Sequence, residues 1–163
     1  MLTPQSMAAA YDRNVQIIKM QTAGMHHAES LIQLPFRGNC MNWIVGHILT
    51  NRNTIFRLLG AEPAIAQERI ARYARESEPI TGAEDAEVLP LEELVATLEH
   101  AQARLTSLLN AITPEELRRE VAFFGNRSMS VGEWLFFFYF HDVYHTGQTE
   151  ILRQATGKED KVI

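Results

Sequence analysis

The chain has 163 residues, of which 46% are hydrophobic and 21% charged, a composition typical of one globular domain with a substantial core. Fifteen Lys and Arg against 20 Asp and Glu leave a formal charge of -5, which disfavours nucleic-acid binding through a basic surface. The one cysteine, Cys40, excludes an intrachain disulfide, and the opening residues lack the features of a signal peptide. We therefore expect one cytoplasmic domain over residues 1–163, without a nucleic-acid partner.

No part of the sequence predicts a membrane span. The longest strongly apolar run, Trp134 to Phe140, is followed by His141 and Asp142. It is far shorter than the ~20 apolar residues that a membrane-spanning helix needs. We therefore expect no membrane partner.

Apolar residues at helical spacing predict four long helices, so the predicted fold class is all-α. The first is expected over roughly residues 3–29, with Thr3 as its cap and Pro4 in its first turn. The second is expected from near Asn39 to Gly60. The third opens at Pro90 and continues to about residue 112. The 29 residues 61–89 form a long connection between helices 2 and 3, with a short helix predicted around residues 65–75.

The fourth helix has the clearest boundaries. Ser130 and Glu133 have the spacing of a capping box, and Gly157 follows the last periodic residues. Residues 131–156 are therefore predicted to be helical. The first half of this helix is apolar on nearly every side, which predicts that other helices surround it in a four-helix bundle. The stretch Val121 to Asn126 is strand-like but too short to change the fold class.

Two histidines on the fourth helix have the spacing of a metal site. His141 and His145 are four residues apart, so both imidazoles project from one face of the helix. A metal site usually takes three protein ligands and leaves other positions for water or substrate. A third ligand must therefore come from another helix.

His47 is the natural third ligand. It lies in the middle of the second helix, on an apolar face with Trp43 and Ile44, where an unpartnered polar ring would be costly. It is about 10 Å into its helix and His141 about 16 Å into its own, so the two lie at similar depth. The spacing therefore predicts that His47, His141 and His145 bind one divalent metal ion, although histidines four apart also occur on solvated helices.

The residues around these histidines resemble a known family. The stretch Asn42-Trp43-Ile44-Val45-Gly46-His47, followed by Arg52, resembles the N-W-x-x-G-H-x-x-x-x-R stretch of the DinB family, the DinB/YfiT-like metalloenzyme superfamily. Residues 141–157 resemble its closing helix, H-x-x-x-H-x-G-Q-x-x-x-L-R-x-x-x-G. The resemblance implies a four-helix bundle in which the three matching histidines hold zinc or nickel. It also implies a homodimer and, from characterised relatives, a thiol-dependent transferase or isomerase that uses a low-molecular-weight thiol.

Several functions remain open at this point. The first is a metal-dependent S-transferase acting on a small-molecule substrate, in which the ion lowers the pKa of a thiol. The alternatives are a hydrolase that uses metal-activated water, a non-catalytic metal-binding or ligand-binding protein, and a metal-free structural bundle. We find no convincing general base near either motif, which favours the thiol. The similarity of residues 141–145 to the zincin motif H-E-x-x-H is weakened by the shorter Asp142 and by the all-helical pattern.

Other polar residues are expected to be structural. Arg52 is expected to pair with a carboxylate, with contact to an anionic substrate as the alternative. Asp142 is expected at the surface or behind the metal ligands, and Cys40 as a small buried residue.

The aromatic residues Trp43, Trp134 and Phe138 are expected to form the walls of a substrate pocket. For the homodimer, the sequence suggests exposed apolar side chains in the long connection, namely Ile65, Ile70 and Tyr73.

Overall fold

The computed structural model describes residues 3–81, 87–123 and 127–162. These residues are mostly helical, as predicted. The α-helices are α1 (Pro4–Thr22), α2 (His27–Ser30), α3 (Met41–Leu58), α4 (Leu91–Ala111), α5 (Pro114–Arg118) and α6 (Val131–Gln154), and a 3-10 helix covers Gln67–Tyr73. Two short strands, β1 (Glu120–Phe123) and β2 (Arg127–Ser130), lie between α5 and α6.

The first helix is shorter than predicted. The Thr3 side chain accepts a hydrogen bond from the backbone N–H of Ser6, as expected for the cap, but α1 ends at Thr22 and Gly24 has a φ of +66°. The guanidinium of Arg153, on α6, donates hydrogen bonds to the carbonyls of Gln21 and Ala23 at the end of α1. This long-range contact satisfies carbonyl groups that a continuing helix would otherwise use, and residues 27–30 form the separate helix α2.

The fold is not purely helical. Strands β1 and β2 pair in antiparallel register, with Glu120 opposite Ser130 and Phe123 opposite Arg127. The indole Nε1 of Trp134 donates a 2.8 Å hydrogen bond to the carbonyl of Val121, which ties the strands to α6. The strand-like stretch predicted from Val121 therefore forms β1, whereas its last residues, 124–126, lie outside the described residues.

The four long helices pack around a shared core. Helices α1 and α3 each contact both α4 and α6. Aromatic side chains from three of these helices are fully buried between them: Tyr11, Phe56, Trp134 and Phe138. Helix α6, however, is not surrounded on every side as predicted, because Phe136 and Phe140 are more than half exposed. No helix among the described residues is long and apolar enough to span a membrane.

The long connection between α3 and α4 packs closely on α3. The 3-10 helix lies against α3, and Ile65, Ile70 and Tyr73 are all buried within the chain. The suggestion that these three side chains remain uncovered is therefore wrong. Their burial instead places the backbone of Tyr73 next to the middle of α3, where His47 lies.

Candidate metal centre

The three predicted histidines meet at one point between α3 and α6. The Nε2 atom of His141 lies 3.3 Å from Nε2 of His47 and 3.2 Å from Nε2 of His145. His47 and His145 are buried and His141 is half-buried. Among the described residues, these three histidines form the one group of His, Cys, Asp or Glu side chains close enough together to hold a metal ion.

Hydrogen bonds at the outer ring nitrogens orient two of the imidazoles. His47 Nδ1 lies 2.9 Å from the carbonyl oxygen of Tyr73, and His145 Nδ1 lies 2.7 Å from Oε1 of Gln148. Because both partners are acceptors, each Nδ1 carries the proton and each Nε2 presents a lone pair to the centre of the cluster. Partners of this kind commonly fix the tautomer and direction of metal-binding histidines.

The surroundings keep the imidazoles neutral. Burial lowers the pKa of His141 to about 3, and repulsion from the protonated forms of His145 and His47 contributes to this shift. Burial likewise lowers the pKa of His145 to about 4, although the hydrogen bond to Gln148 opposes the change. Burial also lowers the pKa of His47. Neutral imidazole is the form that binds a metal ion.

The donor set fits a divalent ion. A proton on Nε2 of His141 could be shared with only one of its two neighbours, so at least one close nitrogen pair has no hydrogen between its lone pairs. A cation at the centre would satisfy all three. Two imidazole nitrogens bound tetrahedrally at about 2.0–2.1 Å from zinc lie roughly 3.3 Å apart, which agrees with the observed separations. Imidazole suits nickel as well as zinc.

Residues of the motif around His47 hold the long connection against the histidine cluster through hydrogen bonds. Asn42 Oδ1 accepts a 3.0 Å hydrogen bond from the Tyr73 hydroxyl, and Asn42 Nδ2 donates to the carbonyl of Leu89. The backbone N–H of Leu89 donates in turn to the Tyr73 hydroxyl at 2.7 Å. These bonds hold Tyr73 at both ends, because its own carbonyl accepts the proton of His47.

Trp43 and Gly46 complete this support. The indole of Trp43 stacks on the His47 imidazole, with ring centroids 4.4 Å apart and planes inclined by 13°. Gly46 lies directly under the Tyr73 ring, so closely that a Cβ built there would overlap the ring carbons. Glycine at this position is therefore required by the close approach of Tyr73 to α3.

We expect Gly46→Ala to lower the free energy of unfolding by about 1–3 kcal/mol, because the added methyl group overpacks the site and displaces the Tyr73 ring. Urea denaturation, with circular dichroism as the signal, measures this change. In a Tyr73→Ala background the same substitution should be neutral or stabilising by up to about 1 kcal/mol, since alanine is the better helix former. Equal destabilisation in both backgrounds would show that the Tyr73 ring is not the cause.

Arg52 and Asp142 form a buried ion pair behind the cluster. Arg52 Nη2 lies 2.9 Å from Oδ2 of Asp142, and both side chains are almost inaccessible. The guanidinium also lies 4.6 Å from the ring centroid of Tyr11. Burial raises the pKa of the Asp142 carboxyl to about 6, and the charge of Arg52 opposes that rise. Arg52 thus pairs with a carboxylate as predicted, whereas a surface position for Asp142 is wrong.

A cleft of about 910 Å³ opens beside the cluster. Its lining includes His47 and His141, with aromatic side chains of α6 on one wall and polar side chains of α3 on the other. The aromatic wall consists of Trp134, Phe137 and Phe138, of which Phe137 is partly exposed and the other two are almost fully buried. The polar wall contains Thr50, Asn51 and Thr54. Trp134 and Phe138 therefore line the cleft as predicted, whereas Trp43 supports His47 from behind.

The remaining candidates lie elsewhere, and some supporting residues were missed. His100 is exposed, and Cys40 is buried at the start of α3. Tyr73 was not recognised as a hydrogen-bond partner of the cluster, because its contribution is a backbone carbonyl in the long connection. Asn51, whose Nδ2 is 3.4 Å from Nδ1 of His141, was also missed. Its position four residues after His47, on the same helical face, was an available signal.

Comparison with known families agrees with this geometry. The family model of the DinB superfamily matches residues 24–149, which is more than half of the chain. The chain therefore belongs to the DinB superfamily. No curated protein sequence matches it.

Solved structures share the fold at low sequence identity. A conserved protein from Enterococcus faecalis has a TM-score of 0.74 and 18% identity, with 98% of this chain and 99% of that chain covered. A mutant of the mycothiol-dependent maleylpyruvate isomerase has a TM-score of 0.63 and 15% identity, with 90% of this chain covered. This chain spans 60% of the length of that isomerase. At these identities the similarity establishes the fold alone.

Proposed function

We propose that this protein is a metal-dependent enzyme of the thiol-dependent S-transferase type, with a divalent ion, zinc or nickel, held by His47, His141 and His145. The observation that carries the proposal is the convergence of three Nε2 atoms, two of which have their lone pairs directed inward by Tyr73 and Gln148. Three protein ligands leave coordination positions for a substrate.

The cleft supports a reaction at this site. A divalent ion with open positions lowers the pKa of a thiol or water molecule that it binds. Among the described residues, Glu62 is the one carboxylate lining the cleft, and it is exposed and follows the C-terminal end of α3. Asp142 is engaged with Arg52. A thiol needs less help from a protein base than water does, because its pKa is already lower.

The similarity in fold to the mycothiol-dependent isomerase also supports a thiol substrate. That protein is named for its use of a small thiol, and its fold covers most of this chain. We propose by analogy a low-molecular-weight thiol as one substrate and a small electrophile as the other, with the aromatic wall of α6 contacting the electrophile. We also propose that α1, α3, α4 and α6 form a four-helix bundle and that the whole chain is one domain.

An assay of metal-loaded protein tests this function. Glutathione, cysteine and bacillithiol would each be combined with chloroaromatic, epoxide and maleyl compounds, with His141→Ala as the control. We expect thiol-dependent consumption or isomerisation of at least one electrophile by the wild type alone. If the two proteins match on every thiol pair while the wild type alone hydrolyses esters or amides, metal-activated water is the correct alternative. Metal uptake without any turnover would indicate a non-catalytic binding protein.

We also propose that the protein forms a homodimer, through the exposed face of α6 and not through the long connection. Five apolar side chains on one face of α6 are exposed: Phe136, Phe140, Val143, Tyr144 and Ile151. The exposed positions of α6 between Glu133 and Glu150 include no charged residue. An antiparallel pairing of two copies of this face about a twofold axis near residues 143 and 144 would place Phe136 opposite Ile151 of the partner subunit, which gives a self-complementary interface.

Sedimentation at micromolar concentration should therefore give a species of twice the 18.5 kDa chain mass. Phe140→Glu should convert it to the monomer, because two carboxylates would enter the apolar interface. Glu150→Gln, at the margin of the same face, serves as the control and should remain dimeric. A wild-type protein that sediments as a monomer would contradict the proposal.

A further inference from the structure

We propose that Arg57 and Arg127 form an anion-binding subsite at the end of the cleft distant from the histidines, which takes a carboxylate or phosphate group of the substrate. The inference rests on the proposed function, because it assumes that the other end of the substrate reacts at the histidine cluster. The subsite itself is argued from the side chains that line the cleft.

One face of α3 leads from the cluster to this subsite. His47, Thr50, Thr54 and Arg57 all line the cleft, and their spacing of three or four residues places them along one side of the helix. Ten residues separate His47 from Arg57, which corresponds to about 15 Å along the helix axis. A substrate that contacts both ends must therefore be elongated.

The strands place the second arginine beside the first. The guanidinium of Arg57 lies 5.5 Å from the ring centroid of Phe123 in β1. Phe123 is paired with Arg127 of β2 in the sheet register, and Arg127 lines the same cleft. Two guanidinium groups from different elements therefore lie at the same end of the cleft, next to the aromatic wall of α6.

Neither guanidinium is paired with a carboxylate of the described residues. Within residues 3–81, 87–123 and 127–162, no carboxylate lies within 4.0 Å of Arg57 or Arg127. In the same residues, three arginines and one carboxylate line the cleft, although the whole chain carries a net charge of -5. The third arginine, Arg75, lies 3.6 Å from the exposed carboxylate of Glu76. The cleft is thus locally basic in an acidic protein, which favours an anionic ligand.

The lining defines the chemistry of the ligand. Arginine binds carboxylate and phosphate groups through paired N–H donors in a planar arrangement. The aromatic wall between the two ends of the cleft suits an apolar middle section. We therefore infer a substrate with a reactive head at the histidines, an apolar body and an anionic tail at Arg57 and Arg127.

Three probes of equal chain length test this subsite. They are 11-mercaptoundecanoic acid, 11-mercaptoundecylphosphonic acid and 11-mercapto-1-undecanol, which share a thiol head and an apolar chain and differ in the tail. Binding would be followed by tryptophan fluorescence, to which Trp134 in the cleft lining and Trp43 stacked on His47 both contribute. This readout does not depend on turnover. The acid and the phosphonate together distinguish a carboxylate site from a phosphate site.

We expect at least one anionic probe to bind the zinc-loaded wild type about ten-fold more tightly than the alcohol, as hydrogen bonds to a charged group allow. Arg57→Gln and Arg127→Gln should each remove most of this preference and leave alcohol binding unchanged. Arg13→Gln, an exposed arginine of α1 outside the cleft, makes the same change in charge and should retain the preference. Unchanged alcohol binding also shows that the variants are folded.

The inference is wrong if the alcohol binds as tightly as both anions. It is also wrong if Arg75→Gln or Arg13→Gln removes the preference while Arg57→Gln retains it. Repeating the titrations on chelator-treated protein separates the two proposals. A protein that takes up no metal but keeps the preference for anions would contradict the metal centre and leave the subsite supported, whereas metal uptake without the preference would contradict the subsite alone.

Discussion

Chelator-treated wild-type protein should take up close to one zinc or nickel ion per chain, and His145→Ala should bind the same ion more than about 100-fold more weakly. Loss of one of three imidazoles leaves two ligands, too few for a tight site. The variant should keep its helical circular dichroism, because Trp134, Phe138 and the other buried apolar side chains form the core without the ion. Isothermal titration and elemental analysis measure the binding.

Two further variants make this prediction specific. Gln148→Ala should weaken binding by about 10–100-fold, because Gln148 accepts the Nδ1 proton of His145 and so orients its ring. His100→Ala, at an exposed histidine of α4, should bind like the wild type. An unfolded His145→Ala chain, or equal losses in His100→Ala and His145→Ala, would show that the ligands are wrongly assigned.

Arg52→Met should lower the free energy of unfolding by about 3–5 kcal/mol, the largest stability effect that we expect from one substitution. The variant leaves the buried carboxylate of Asp142 without its partner, and a buried unpaired charge is strongly destabilising. Chemical denaturation of the metal-free protein measures the change. Arg57→Met, at an exposed arginine of the same helix, is the matched control and should stay within about 0.5 kcal/mol of the wild type.

The double variant Arg52→Met, Asp142→Leu tests the cause. Once both charges are replaced by apolar side chains, the penalty for an unpaired ion disappears, so the double variant should be more stable than Arg52→Met alone. If the double variant is as unstable as the single variant, the loss comes from packing of the Arg52 side chain against Tyr11 rather than from the ion pair.

The two motif helices could be predicted from the sequence because their signals are local. The capping box of Ser130 and Glu133 forms as its spacing indicates, with the Ser130 side chain accepting from the Glu133 N–H and the Glu133 carboxylate accepting from the Ser130 N–H. The four-residue spacing of His141 and His145 placed both rings on one face of α6 in the same way. The apolar face that carries His47 similarly directed its ring to the interior.

The end of the first helix was missed, although Gly24, with a φ of +66°, was a local signal for it; a distant side chain supplies the rest. The apolar periodicity continues past Thr22, but α1 stops where Arg153, 130 and more positions away in the sequence, donates to its last carbonyls. In β1, the carbonyl of Val121 likewise accepts a hydrogen bond from Trp134 of α6. In both cases a hydrogen bond from a residue distant in the sequence contributes to the structure, and the local pattern does not contain it.

The helical class, the three histidines and the family could all be predicted from the sequence, because helical periodicity and motif spacing are properties of neighbouring residues. The support of the histidines depends on long-range packing: the Tyr73 carbonyl reaches His47 because Asn42, Gly46 and Leu89 hold the long connection against α3. The same packing places Arg52 against Asp142 and Arg57 in the lining of the cleft. Side-chain surroundings of this kind depend on how elements distant in sequence pack together, which no local pattern contains.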